Sequence, residues 1–172
     1  MRPLFVSVVV LTAGCLNNEK EKGDDLPTEG RWSILDAVVV EDTCEFDDPD
    51  DSEDTEGWFD IHHNSDGTLE VTSTVANELV VWTCTVDGDA LSCPSAEVYT
   101  VDLRDDPESS RMDALVTLDA WMEGTVRSPT DLQLDFTAEI WCEGEECSVM
   151  EDLLELEMPC STTTSLVLAP SG

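Results

Sequence analysis

Carboxylates are the commonest chemistry-bearing side chains of this chain, with 40 Asp and Glu against 7 Lys and Arg and a formal net charge of −33. They concentrate between Glu41 and Asp60, where eleven of twenty residues are acidic and Pro49 interrupts the run. Carboxylate and carbonyl oxygens hold hard cations such as Ca²⁺, which makes Asp48, Asp50, Asp51 and Asp54 the candidate metal ligands. Their order does not make an EF-hand. Counted from Asp48, the sixth position is Glu53 where glycine is needed, and the twelfth is Phe59 where glutamate is needed. Counted from Asp50, the sixth position is Thr55. The expectation is loose association with Ca²⁺ or Mg²⁺ and no resident cofactor. His62 and His63 are adjacent, so on a strand they point to opposite faces and cannot share one metal ion. They read as ordinary strand-end residues. Paired carboxylates could hydrolyse glycosides, but acids this abundant give that signal no specificity. The sequence holds no Gly-x-Ser-x-Gly, phosphate loop, dinucleotide fingerprint or His-Glu-x-x-His. A carboxylate-dependent hydrolase is therefore the third reading, and no enzyme is expected. The acidic surface repels nucleic acid and anionic headgroups, and nucleic acid is excluded as a partner.

Cys15 stands apart from the other cysteines. Arg2 and the amino terminus precede an apolar run, Leu4-Phe5-Val6-Ser7-Val8-Val9-Val10-Leu11, too short to span a bilayer. The sequence Leu11-Thr12-Ala13-Gly14-Cys15 then resembles a bacterial lipobox, with Thr12 where lipoboxes usually carry leucine. The resemblance implies that residues 1–14 are a signal peptide, that Cys15 is acylated, and that the chain partners the lipid bilayer through that acyl group. Leu16 in place of aspartate implies, by the same resemblance, delivery to the outer membrane, on its periplasmic or cell-surface side. Residues 15–29 are then the lipidated cysteine and a polar, aperiodic tether that reaches roughly 45–50 Å when extended.

Six cysteines remain, an even number in an oxidising compartment, and three disulfides are expected. Six cysteines allow more connectivities than spacing can rank rigorously. A hairpin loop at Asp87-Gly88-Asp89-Ala90 would set Val86 opposite Leu91 and Cys84 opposite Cys93, with Cβ atoms about 4.5–5.5 Å apart. Cys142 and Cys147 flank Glu143-Gly144-Glu145-Glu146 and could staple a tight turn. Cys44 and Cys160 would then join the first strand to the end of the chain. Zinc is the rival reading; a Cys-x₄-Cys spacing beside adjacent histidines is not a finger pattern.

These groups need elements to position them. Residues 30–172 read as a single β domain with an acidic loop over 41–57. Short strands are predicted at 32–40, 58–62, 68–74, 79–86 and 97–103, separated by turn signals such as Asn64-Ser65-Asp66-Gly67. Met112, Ala114, Val116, Leu118, Ala120 and Met122 alternate with mostly polar neighbours, as do Leu132, Leu134, Phe136, Ala138 and Ile140. Ser148 to Glu151 has capping-box spacing, which predicts a short helix over 148–154, then a strand into Pro159-Cys160. A last strand is expected over 165–169. The fold class is all-β: an antiparallel meander barrel or sandwich of about eight or nine strands with one short helix, stapled by disulfides.

Gly30-Arg31-Trp32 at the head of the first strand resembles the Gly-x-Trp of lipocalins. The resemblance implies a tryptophan that plugs one barrel end and an interior that carries a small ligand. Two family features are missing: no basic residue follows Arg127 to stack on Trp32, and the Thr-Asp-Tyr-like motif is absent. Trp121 and Trp141 fall on the mainly polar side of their alternating strands, so they are the candidate ligand-stacking residues or a pair stacked on each other. The leading expectation is a membrane-anchored, non-enzymatic carrier of a small apolar ligand. The alternative is a structural or interaction lipoprotein that contacts envelope components or basic partners and loosely binds divalent cations through its acidic loop.

Overall fold

The computed structural model describes residues 26–45, 57–104 and 112–172. Eight antiparallel strands close into a barrel in simple meander order. They are β1 (Gly30–Asp42), β2 (Trp58–His63), β3 (Leu69–Val75), β4 (Glu78–Asp87), β5 (Ala90–Asp102), β6 (Leu115–Ser128), β7 (Asp131–Glu143) and β8 (Cys160–Pro170), with α1 (Cys147–Leu154) between the last two. β8 pairs with β1 and closes the ring. Barrel and sandwich were both open from sequence; full closure leaves the barrel.

The alternating patterns of β6 and β7 dictate the core. Ala120, Met122, Leu132 and Leu134 are buried, and their ladder runs without a break from Leu115↔Glu143 to Val126↔Leu132. Trp32, Ile61, Leu69, Val71, Trp82 and Leu168 fill the same interior from the other strands. Trp82 meets Phe136 edge-to-face at 6.3 Å between centroids and donates its indole N–H to the Ala120 carbonyl, 2.9 Å. The large aromatic is thus buried with its polar atom satisfied.

Strand lengths are unequal, and this shapes the molecule. β1 pairs with β2 only from Gly30↔Ile61 to Ser33↔Trp58, whereas its ladder to β8 runs on to Asp42↔Thr162. β4 pairs with β5 only from Thr85↔Ser92 to Asp87↔Ala90, whereas β5 follows β6 up to Asp102↔Leu115. Pro94, which has no N–H to give a ladder, and register shifts after Cys93 and Glu97 accompany that parting. All eight strands therefore meet in a girdle at one end. Beyond it β5, β6, β7, β8 and β1 continue as a five-stranded apron.

The girdle end is sealed. Trp32 is fully buried and donates its indole N–H to the Thr28 carbonyl, 2.9 Å. The Thr28 N–H reaches the Pro129 carbonyl at 2.8 Å, and Ser171 N–H reaches the Arg31 carbonyl at 2.7 Å. Outside the barrel, the Arg31 guanidinium lies 4.4 Å from the centre of the Trp58 ring and pairs with Asp60 at 3.1 Å.

Three local expectations are corrected. The first strand runs through Glu41 and Asp42, so the acidic loop starts later than 41. The helix starts at Cys147, and its N-cap is Glu146 with no side-chain cap bond. The predicted capping box does not form, because Ser148 lies inside the helix and not at its N-cap; the Glu151 carboxylate accepts the Met158 N–H, 3.0 Å. No strand follows α1 before Cys160: Glu155 turns the chain in the left-handed region (φ 55°), which breaks the alternation of Leu154, Leu156 and Met158.

Candidate binding face on the apron

The three cysteine pairs anticipated from spacing are all formed. Cys84–Cys93 bridges the β4–β5 hairpin with Cα atoms 4.2 Å apart. Val86 faces Leu91 as expected, although the connection is a tighter one, with Asp87 paired to Ala90. Cys142–Cys147 clamps the end of β7 to the start of α1, and Cys44–Cys160 ties the end of β1 to the start of β8. Two of the three disulfides thus hold the apron end, where β1, β7, β8 and α1 meet. Cys15 and the candidate cation ligands Asp48, Asp50, Asp51 and Asp54 lie outside the described residues.

A second latch stiffens the same rim. The Asp113 N–H donates to the Glu146 carboxylate at 2.6 Å, and Asp113 receives the Glu145 N–H on its carboxylate and the Glu146 N–H on its carbonyl, both at 3.1 Å. Gly144 (φ 138°) makes this approach possible, since a Cβ there would lie 1.9 Å from the Asp113 carbonyl oxygen.

Register separates two faces of the apron. Val116 and Leu118 continue the inward row of Ala120 and Met122, and Val101 and Tyr99 sit opposite them on β5. On the other flank Ala37 and Val39 sit opposite the inward Leu166 and Thr164. Val116 and Leu118 are buried, Tyr99 and Ile140 half-buried, and Val101 and Val39 remain 43% and 51% exposed. Above the filled girdle, the inner face is thus an apolar surface that stays accessible at both flanks.

Trp121 and Trp141 are on the other face. Trp121 alternates with the buried Ala120 and Met122 and sits opposite Thr137; Trp141 sits opposite Thr117. The Asp119↔Glu139 pair lies between those two rows, so the tryptophans do not stack on each other, and neither lines the interior. Each is half-buried on the outside of the sheet. The strand alternation already put them there; what it could not show was the four-residue stagger between them.

The histidines sit at the end of β2 and point to opposite sides of it. The His63 ring N–H donates to the Pro27 carbonyl at 2.7 Å, its backbone N–H to the Glu29 carboxylate at 2.8 Å, and His62 is exposed on the opposite side of the strand. Both sit at the girdle end, away from the apron. A polar cavity of about 330 Å³ opens beside the Cys44–Cys160 bridge, lined by Thr43, Cys44, Glu45, Glu155 and Glu157. Among the described residues no cluster of His, Cys, Asp and Glu has the arrangement of a metal centre. Among the described residues two carboxylates depart from their ordinary pKa, both downward. Asp66 accepts the Thr68 backbone N–H and then its hydroxyl, and Asp102 is held by the Arg104 guanidinium. Both shifts favour the ionised form, opposite to what a general acid needs.

The fold and the rim together define a class: an acidic, disulfide-clamped, eight-stranded meander barrel with a sealed girdle and an apolar inner apron. Comparison with protein-family models, with curated proteins and with solved structures found no match.

Proposed function

We propose that this chain is a lipid-anchored, non-enzymatic binding protein of the outer membrane, and that the inner face of its apron takes a small apolar ligand. One observation supports this above the others: Val39 and Val101, on inward register positions continuous with the core, are about half exposed. Apolar surface continuous with a core is where an apolar ligand gains most from leaving water, about 25 cal/mol per Å² covered. The girdle is filled by Trp32, Trp82 and Met122, so the ligand lies on the apron and not deep in the barrel. The lipobox-like sequence ending in Cys15 supplies the anchor, and the described chain begins beside the girdle, where Thr28 meets Pro129.

Native mass spectrometry of the full chain, with Nile red as the binding probe, tests the reading. An apolar adduct or saturable Nile red binding that weakens about tenfold in Val101→Glu is expected. A bare mass with no Nile red binding would remove the carrier. The outward acidic surface would then favour the interaction role. The anchor has its own test: radiolabelled palmitate enters the wild-type chain and not Cys15→Ser.

A further inference from the structure

Among the described residues, the upper half of β1 is an open hydrogen-bonding edge. Residues 34–42 pair with β8 on one side, and among the described residues no strand pairs with their other side. Leu35, Val38, Val39 and Val40 along this edge are 67%, 53%, 51% and 60% exposed. Unpaired N–H and C=O groups beside exposed β-branched side chains make a template for strand addition. Proteins ordinarily protect such an edge with bulges and charges, and both are present. Register shifts fall between Ile34 and Asp36 and between Val39 and Glu41, and Asp36 and Glu41 bracket the valines.

Those brackets select the occupant. Asp36, Val38 and Glu41 sit opposite Val167, Ser165 and Thr163, all on the outward face. A second copy pairing antiparallel about the centre of Val38–Val39 would set Asp36 opposite Glu41 twice. A parallel copy would set each acid beside its own counterpart. Like charges directly opposite are destabilising, and two chains of formal charge −33 repel before they touch. The same geometry favours a segment with an apolar alternating centre and Lys or Arg at both flanks. We propose that the free edge of β1 docks an extended, basic-flanked segment of a partner protein as a ninth strand. Main-chain bonds to residues 34–42 would give affinity, Val38 and Val40 would receive the partner's apolar side chains, and Asp36 and Glu41 would fix its register. This site is the edge and outer face of β1, and it does not depend on the inner face holding a ligand.

Amide hydrogen exchange, read residue by residue by NMR on the full chain, tests the proposal. The probe is a synthetic peptide with a Val-Thr-Val-Thr-Val centre flanked by two Arg on each side. Exchange within 34–42 should slow about tenfold, as ladder bonds form, and the effect should fade at high salt. A Glu-flanked peptide with the same centre should leave exchange unchanged, as should an Arg-flanked Gly-Ser peptide. The Val38→Lys/Val40→Lys double variant should lose the protection while keeping its melting temperature. Protection elsewhere in the barrel, equal protection by either control peptide, or an unaffected double variant would overturn the proposal. So would slowing of 34–42 on concentrating the chain alone, which would assign the edge to a second copy.

Discussion

Gly144 and Gly124 show how single positions hold the scaffold. A Cβ at Gly144 would meet the Asp113 carbonyl oxygen at 1.9 Å, and one at Gly124 would meet the Gln133 carbonyl oxygen at 2.3 Å and the Leu134 side chain at 2.6 Å. The obstacles are largely backbone and cannot swing aside, so Gly144→Ala and Gly124→Ala should each cost about 2–3 kcal/mol, measured by urea denaturation. Gly144→Ala should also free the amides of Glu145 and Glu146 to exchange, since it wedges open the Asp113 latch. Asp66 carries a pH-dependent contribution at this scale. Its folded pKa lies below the ordinary value of 3.8, first because of the Thr68 N–H bond. A depressed carboxylate stabilises the fold above its unfolded pKa and loses that contribution as pH falls through the folded value. The melting-temperature gap between wild type and Asp66→Asn should therefore be full at neutral pH and shrink below pH 3.8. The sequence showed the turn at Asn64-Ser65-Asp66-Gly67 because its chemistry is local. It was silent on Gly144, whose reason is a carbonyl some thirty residues away in the chain.

At the scale of elements, legibility followed the range of the interactions. The β4–β5 hairpin could be read to the residue pair, because a short loop fixes register and Cys84 then has one partner within reach. The helix was legible from its apolar spacing, but its cap was not, since the helix begins one residue before Ser148 and leaves that side chain inside its first turn. Where β1 parts from β2 was illegible: both ladders of β1 use the same residues, and only the short length of β2 decides how far closure goes. The same distinction between near and far governs the disulfides. Cross-linking stabilises mainly by restricting the unfolded chain, and more so for longer loops. Separations of 116 for Cys44–Cys160 and 9 for Cys84–Cys93 correspond to about 5 and about 2.5 kcal/mol on that model. The Cys44→Ser/Cys160→Ser chain should accordingly melt well below the Cys84→Ser/Cys93→Ser chain, by calorimetry under oxidising conditions.

For the whole molecule, charge and architecture act in opposite directions. A formal charge of −33 on one barrel pushes every surface element away from every other. Raising salt from about 0.01 M to about 0.15 M shortens the screening length from about 30 Å to about 8 Å. The melting temperature should rise across that range, and a sucrose series at constant ionic strength separates screening from general exclusion effects. A flat salt response would mean that the acids are already compensated within the fold. Composition made this surface legible at once, whereas the apolar inner apron was not, because its residues look like core in the sequence and become surface only where β1 parts from β2 and β5 from β4.

Closure of the ring also sets an order in time. β8 joins β7 to β1, and Cys160 at its head is bridged back to Cys44. Ser33 and Ser171, whose hydroxyls meet at 2.6 Å across this seam, are 138 residues apart in sequence. Hairpins such as β4–β5 and β6–β7 can form as soon as they emerge, but contacts so distant along the chain come late and slowly. Until the eleven residues of β8 are in place, β1 to β7 are a row of hairpins with no seam and no clasp.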